Sequence, residues 1–416
     1  MILKTLLIIG HVWPEPKSSA AGSRMMQLIE AFQKQDYSIT FSSPCAKSEN
    51  AFDLATIGIE QVSIEINNSS FDKFIQKLNP SIVLFDRFMT EEQFGWRVTE
   101  QCPDALRILD TEDLHCLRKG REQAFRDENP FGLDYLFNET AKREIASIYR
   151  CDLSLIISEV EMNILKHQFK VSEHLLYYLP FLTEGSSLEA KKAIPKFKDR
   201  EDMIVIGNFL HTPNYDAILF LKEKIWPLVR KRMPKVNLNI YGAYVNEKVN
   251  QLHSEKDGFL VKGYVDNVNE VMQQAKVCLV PLRFGAGLKG KLIDAMANGT
   301  PCVMTSLAAE GMFGNFEPNG FIEDEVKQFA NKAIELYNDK IFWNGMQKNG
   351  FLVLNARFDK HLFVADFFAH LSTLLNNLET LRNQNFTGMM LQHHSLQSTK
   401  FMSKWIEEKN SKSPSK

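Results

Sequence analysis

The stretch VPLRFGAGLKGKLIDAMANGTPCVMTSLAAEGMF, residues 280–313, decides the fold. An apolar run ends at its start, glycines follow at 285, 287 and 290, and LIDAMANG then reads as a helix. Such a loop lets backbone N–H groups approach an anion, and the helix N-terminus adds the positive end of its dipole. Arg283, Lys289 and Lys291 bring cationic side chains to the same place. A diphosphate is the guest this order of elements suits. Glycines alone would be a weak sign, since glycine also merely turns chains.

Outward from that loop, short apolar runs alternate with longer amphipathic stretches, the pattern of a parallel sheet wrapped by helices. In the second half, MIVIGNF reads as a strand and its turn, PNYDAILFLKEKIWPLVRKR as a helix with a late turn or kink at Pro227, and LNIYGAY, FLVKGYV and KVCLVPL as further strands. The first half repeats the theme. A strand at Leu3 to Ile9 leads through GHVWPEPKSSAAG into a helix from about Ser23, with Met26, Ile29 and Phe32 on one face and Leu28 widening it. Strands follow at SITFSS, SIVLFD, ALRILD and DLSLIIS, most ending in a polar residue where an open sheet exposes its carboxyl ends. The polar stretch GSSLEAKKAIPKFKDRED reads as a linker. The fold class is therefore α/β, with two Rossmann-like lobes at 1–182 and 202–360 and a hinge at 183–201.

The whole chain fits this division. Its 416 residues suit two domains, 44% hydrophobic and 24% charged residues are ordinary globular composition, and a net charge of -2 gives no field demanding nucleic acid or an anionic membrane. Six scattered cysteines (45, 102, 116, 151, 278 and 302) form no metal-ligand spacing and read as reduced core residues. MILKTLLIIG is too short an apolar run for a targeting signal or a span, so cytoplasm is the expected address. No His or Cys cluster and no Asp-x-Asp occurs, so no metal and no cofactor is expected, and His393–His394 reads as a solvated pair. The last residues, KNSKSPSK, are expected to be disordered.

The run Asp294-Ala295-Met296-Ala297-Asn298-Gly299-Thr300-Pro301-Cys302-Val303 resembles the donor-binding element of retaining group 1 (family 4) glycosyltransferases of the GT-B fold. IGNF, LNIYGA, VKGYVDN and TSLAAEGM are similar to phrases of that group. The resemblance covers roughly 200–360 well and the first half more loosely. It implies two lobes facing across a cleft, a C-terminal helix (361–380) crossing back to the first lobe, and a tail at 381–416 that packs on it or helps hold an acceptor. It also implies transfer of a sugar from a UDP- or GDP-sugar, with retention, to a glycan, lipid-linked or other acceptor. A peripheral membrane contact or an RNA acceptor is left open.

By the same resemblance, Gly22, Gly207, Asn208, Gly285, Ala286, Gly287, Leu288, Lys289 and Asp294 bind the donor. Arg283 and Lys291 stabilise the charge that develops on the leaving diphosphate. Asp110 and His115, just past a strand in LDTEDLHCLR, position or deprotonate the acceptor. Arg24 near the first helix and the pair Asp86–Arg87 are weaker candidates. The chain departs from the group's two glutamates, which have seven residues between them. Asp294 matches the second, while the first falls on Ala286, for which amides of the Gly285–Gly287 loop could substitute. Two rivals follow: a UDP-sugar 2-epimerase of the same fold, and a binding protein without turnover.

Overall fold

Two parallel sheets form because strands buried on both faces must be covered by helices on both sides. The computed structural model describes residues 4–185 and 187–412. The first sheet contains β1 (Thr5–Ile9), β2 (Ser38–Ser43), β3 (Glu60–Ser63), β4 (Ile82–Asp86), β5 (Leu106–Asp110), β6 (Leu153–Ile156) and β7 (Leu176–Tyr178) in the order β3-β2-β1-β4-β5-β6-β7. The second contains β8 (Glu201–Ile206), β9 (Leu238–Tyr241), β10 (Phe259–Gly263), β11 (Ala275–Val280), β12 (Cys302–Met304) and β13 (Gly320–Ile322) in the order β10-β9-β8-β11-β12-β13. All pairings are parallel.

In each sheet the order reverses direction once, between β1 and β4 and between β8 and β11. Loops leaving the carboxyl ends of those strand pairs diverge to opposite faces and open a crevice. The two crevices face one another and together make one cleft of about 1010 Å³, lined by both lobes.

Helix starts are set by side chains more than by apolar periodicity. The first helix runs Ala20–Gln33, three residues earlier than its apolar face suggests, because Ser19 caps it by accepting the Gly22 amide at 3.0 Å. The helix read around Pro227 is continuous but irregular: Thr212–Phe220 leads through a π turn at Leu221–Ile225 into Trp226–Arg232. Pro227 has no N–H to give, and the Trp226 amide bonds the Leu221 carbonyl five residues back. Strands β3, β7, β12 and β13 span only three or four residues and carry no alternation that the sequence could display.

After β13 the chain forms helices Val326–Asn338 and Lys340–Arg357 and returns to the first lobe. The two crossings run side by side: the Thr183 amide donates to the Phe358 carbonyl at 2.7 Å, and the Lys360 amide to the Thr183 carbonyl at 2.9 Å. The next helix, Val364–Asn376, inserts Phe367, Leu371 and Leu374 into the core beneath β1, β4 and β5. Helices Leu378–Gln384 and Phe386–Lys412 follow on the same lobe. Arg382 bonds Asp152 and the Ala105 carbonyl, each at 2.8 Å, and Ser403 is buried against Arg97.

Residues 409–412, expected to be disordered, continue the last helix, and the remainder of KNSKSPSK lies outside the described residues. His393 and His394 are exposed on that helix. Five of the six free thiols are buried and Cys45 is exposed. Among the described residues no helix is long and apolar enough to cross a membrane.

Phe367 is fully buried and meets Phe32 edge-on at 6.0 Å between ring centroids. Phe367→Ala should destabilise the protein by about 3–5 kcal/mol in a urea titration. A loss below about 1 kcal/mol would mean that the returning helix is not part of the first lobe's core.

Candidate active site

The second-lobe wall of the cleft is built at the switch between β8 and β11. After β8, Gly207 and Asn208 lead into the helix that starts at Thr212; after β11, residues 282–289 lead into helix Gly290–Ala297. Both helix N-termini therefore turn positive dipole ends toward the cleft. Gly207 is required by its neighbour, since a Cβ there would meet the Asn214 carboxamide carbon at 2.8 Å. Asn214 ties the two loops: its Nδ2 donates to the Asn208 carbonyl at 2.9 Å, and its Oδ1 accepts from Lys291 Nζ at 2.7 Å. Lys291 and Asp294, one turn apart, both line the cleft. Burial lowers the Lys291 ammonium to about 8 and raises the Asp294 carboxyl to about 7.

The glycine loop meets the first lobe. Gly285 and Gly287 adopt φ of 149° and 66°, which favours glycine at both positions. A Cβ on Gly287 would lie 2.9 Å from that of Asp113, and one on Gly290 would lie 2.7 Å from that of Ala20. The glycines thus let the lobes approach as well as shape the loop. The Gly287 amide, expected to be free for a donor, gives its proton to Glu161 Oε1 at 2.8 Å, and the same oxygen accepts from the Leu114 amide at 3.1 Å. Ala286 packs against the first lobe's apolar core. Arg121 fastens the loop from the same side, with bonds to the Gly285 carbonyl at 3.0 Å and to both oxygens of Glu310 at 2.8 and 2.7 Å.

Of the residues singled out in the sequence, Gly207, Asn208, Gly285, Ala286, Gly287, Leu288, Lys289, Lys291, Asp294 and His115 line the cleft. Arg283, Asp110 and Gly22 lie outside that lining, as do the weaker candidates Arg24 and Asp86. Arg283 is held by Asp216 at 2.9 and 2.5 Å and lies 4.5 Å from the rings of Phe125 and Phe220, one from each lobe. Asp110 is 0% exposed and is paired with Arg24 at 3.0–3.3 Å, while Arg24 also donates to the Leu179 and Pro180 carbonyls. That pair braces the floor of the first lobe and leaves Asp110 no free face for an acceptor. Gly22 lies inside the first helix, packed against the backbone of Glu15. Lys289, though at the cleft, spends its ammonium on the Ala286 and Gly287 carbonyls at 3.1 and 2.5 Å.

The first-lobe wall carries His11, Arg87, Glu112, Asp113, His115 and Arg118. Arg87 and Glu112 follow β4 and β5 with φ of 71° and 62°, left-handed values that cost non-glycine residues on the order of 1–3 kcal/mol each. His115 opens helix His115–Arg126, whose first amides, of His115 and Cys116, are capped by Glu144 at 2.9 Å. Burial drives the His115 imidazole down to about 3, against the opposing pull of Asp113, so it is neutral across the physiological range. His211, 3.5 Å from Arg118 across the cleft, is lowered to about 4 for the same first reason. Glu161, Glu144, Arg121 and Asn214 were not singled out in the sequence. Only Glu161 had a signal, an acid soon after a strand end.

Residues 200–339 match the family model described as glycosyl transferases group 1. The chain has the GT-B fold, and its second lobe is a group 1 glycosyltransferase domain. Sucrose-phosphate synthase from Thermosynechococcus elongatus is similar with a TM-score of 0.65 at 15% identity, over 90% of this chain and 99% of that one. HepE from Anabaena, in complex with UDP and glucose, is similar with a TM-score of 0.68 at 12% identity, over 89% of this chain and 100% of that one. An uncharacterized 44.6 kDa protein of the cps region in Klebsiella pneumoniae is 25% identical over 260 residues, which is 59% of this chain and 63% of that relative.

Burial, followed by the charge of Asp113, pushes the Glu161 carboxyl up to about 8 from 4.5. An acid raised on folding favours its protonated form. Its contribution to stability is full below about 4.5 and shrinks as pH rises through about 8. Glu161→Gln keeps the oxygen that accepts both amides and removes the proton. Its melting temperature should therefore fall less than the wild type's as pH rises from about 5 to 8, with Glu144 and Asp294 still contributing slope. Equal slopes by differential scanning fluorimetry would refute the titration of Glu161.

Proposed function

We propose that this protein is a glycosyltransferase that takes its sugar from a UDP-sugar and transfers it, with retention, to a hydroxyl group of an acceptor seated on the first lobe. One observation carries this reading: two helix N-termini, at Thr212 and Gly290, converge with Lys291 and Asp294 on one wall of a cleft between two lobes. The diphosphate lies against those helix ends, where fixed N–H dipoles and the Lys291 ammonium meet its charge. Asp294 accepts from the ribose hydroxyls. Gly207 and Asn208 flank the nucleotide, and Leu288 and Lys289 hold the loop's shape around the sugar. The match of residues 200–339 to group 1 glycosyltransferases supports the class, and HepE's complex with UDP supports uridine over guanosine.

In the reaction, an acceptor hydroxyl oxygen bonds to the anomeric carbon as the bond from that carbon to the β-phosphate oxygen breaks. The electron pair leaves with UDP, and the hydroxyl proton passes to a phosphate oxygen of that leaving group. Stabilising the departing charge is the larger task, and Lys291 with the two helix ends performs it without a resident metal. His115, neutral and at the helix start, hydrogen-bonds the sugar or the incoming hydroxyl and takes no proton.

UDP binding tests this directly. Calorimetry should give a dissociation constant for UDP, unchanged by EDTA, that Lys291→Ala weakens about tenfold or more. Because the ammonium is the binding form and is lowered to about 8, UDP affinity should fall as pH rises beyond that value, by at most about tenfold per pH unit for one proton. Slow glucose release from UDP-glucose would separate turnover from mere binding. Failure of UDP, GDP, ADP and CMP alike to bind would overturn the proposal.

A further inference from the structure

Two carboxylate oxygens at the adjacent ends of β4 and β5 have no hydrogen-bond partner. Asp86, the last residue of β4, is 5% exposed; its Oδ2 accepts the His11 amide at 3.0 Å, and its Oδ1 is buried with no hydrogen bond. Glu112, two residues beyond β5, lines the cleft, and its Oε1 is likewise buried and unbonded. Buried polar atoms are almost always satisfied, so two unsatisfied oxygens on adjacent strand ends ask for donors from outside the chain. The two residues held in left-handed backbone at this wall, Arg87 and Glu112, both line the cleft. The Arg87 amide bonds the Asp110 carbonyl at 2.8 Å, which fixes the β4 end against the β5 end.

Charge at this wall selects the guest. Asp110 is cancelled by Arg24 at 3.0 Å, and Asp86 is matched by Arg87, whose Nε lies 3.7 Å from Oδ1. Burial, with Asp110 and Asp86 beside it, pushes the Glu112 carboxyl well up toward its neutral form, and its Oε1 has no hydrogen bond. This corner therefore offers no net charge to a phosphate or carboxylate, while a neutral hydroxyl would supply the hydrogen that the free oxygen lacks.

We propose that Glu112, flanked by Arg87 and Asp86, is the specificity-determining residue of the acceptor site, and that it recognises a neutral glycosyl acceptor by accepting a hydrogen bond from a sugar hydroxyl. Arg87 donates to a second oxygen of the same sugar. Glu112 acts on the acceptor and not on the donor, whose diphosphate lies on the opposite wall. The inference rests on the transferase reading of the cleft.

The test uses saturation-transfer NMR on the full chain saturated with UDP. The probes are methyl α- and β-glycosides of glucose, galactose and N-acetylglucosamine, with glycerol 3-phosphate as the anionic control. At least one glycoside should bind the wild type, and glycerol 3-phosphate should not. Glu112→Ala should weaken that glycoside about tenfold and leave UDP affinity within about twofold, while Glu112→Gln, which keeps an accepting oxygen, should restore part of the loss. Glycoside binding unchanged in Glu112→Ala overturns the inference. So does parallel loss of glycoside and UDP, which marks a structural role, or preference for glycerol 3-phosphate, or absence of binding by every glycoside. Failure of UDP itself to bind the wild type would strike the donor reading instead, so the two failures are distinguishable.

Discussion

Everything at the cleft depends on how closely the glycine loop can lie against the first lobe. The Glu161 carboxyl joins an amide from each side, and a side chain at 287 or 290 would hold the lobes apart at Asp113 or Ala20. That approach brings the second lobe's helix ends opposite Glu112, His115 and Arg118. Without it the two walls would be separate surfaces, and neither alone carries both halves of a transfer reaction. Burying Glu161 carries a desolvation cost that two amide bonds and a shifted proton equilibrium only partly offset. The contact is therefore conditional, a property suited to lobes that must separate to exchange substrates.

Much of the fold was legible because buried parallel strands print themselves as apolar runs. The nine strands read from such runs, from Leu3–Ile9 to Lys276–Leu282, are all present, with edges shifted by up to three residues. The short strands β12 and β13 left no such print, since three residues hold no period, and β3 is a polar edge strand whose side chains need not alternate. The start of the first helix was misread because its boundary is set by the Ser19 hydroxyl, while the apolar face begins later.

The site was legible on one wall and poorly on the other. Lys291 and Asp294 follow a glycine loop in sequence, so their shared location is a local fact, and local facts survive translation from sequence to space. Asp110 and Arg283 looked equally suitable by position, yet each is consumed by a partner 67 or 86 residues away. Pairings at that range leave no trace in a single chain. The same limit hid Glu161, whose role exists only once the other lobe arrives.

The side-by-side crossings at Thr183 and Phe358 make the second lobe an insertion within the first. The chain enters and leaves it through a single doorway, and the described ends, at residues 4 and 412, both belong to the body that hosts it. A proteolytic nick in the polar connector between 187 and 199 would therefore cut the polypeptide without releasing either lobe, because the downstream fragment still threads Phe367, Leu371 and Leu374 into the upstream fragment's core. Two genes encoding the pieces on either side of such a nick would make fragments with a built-in reason to find each other.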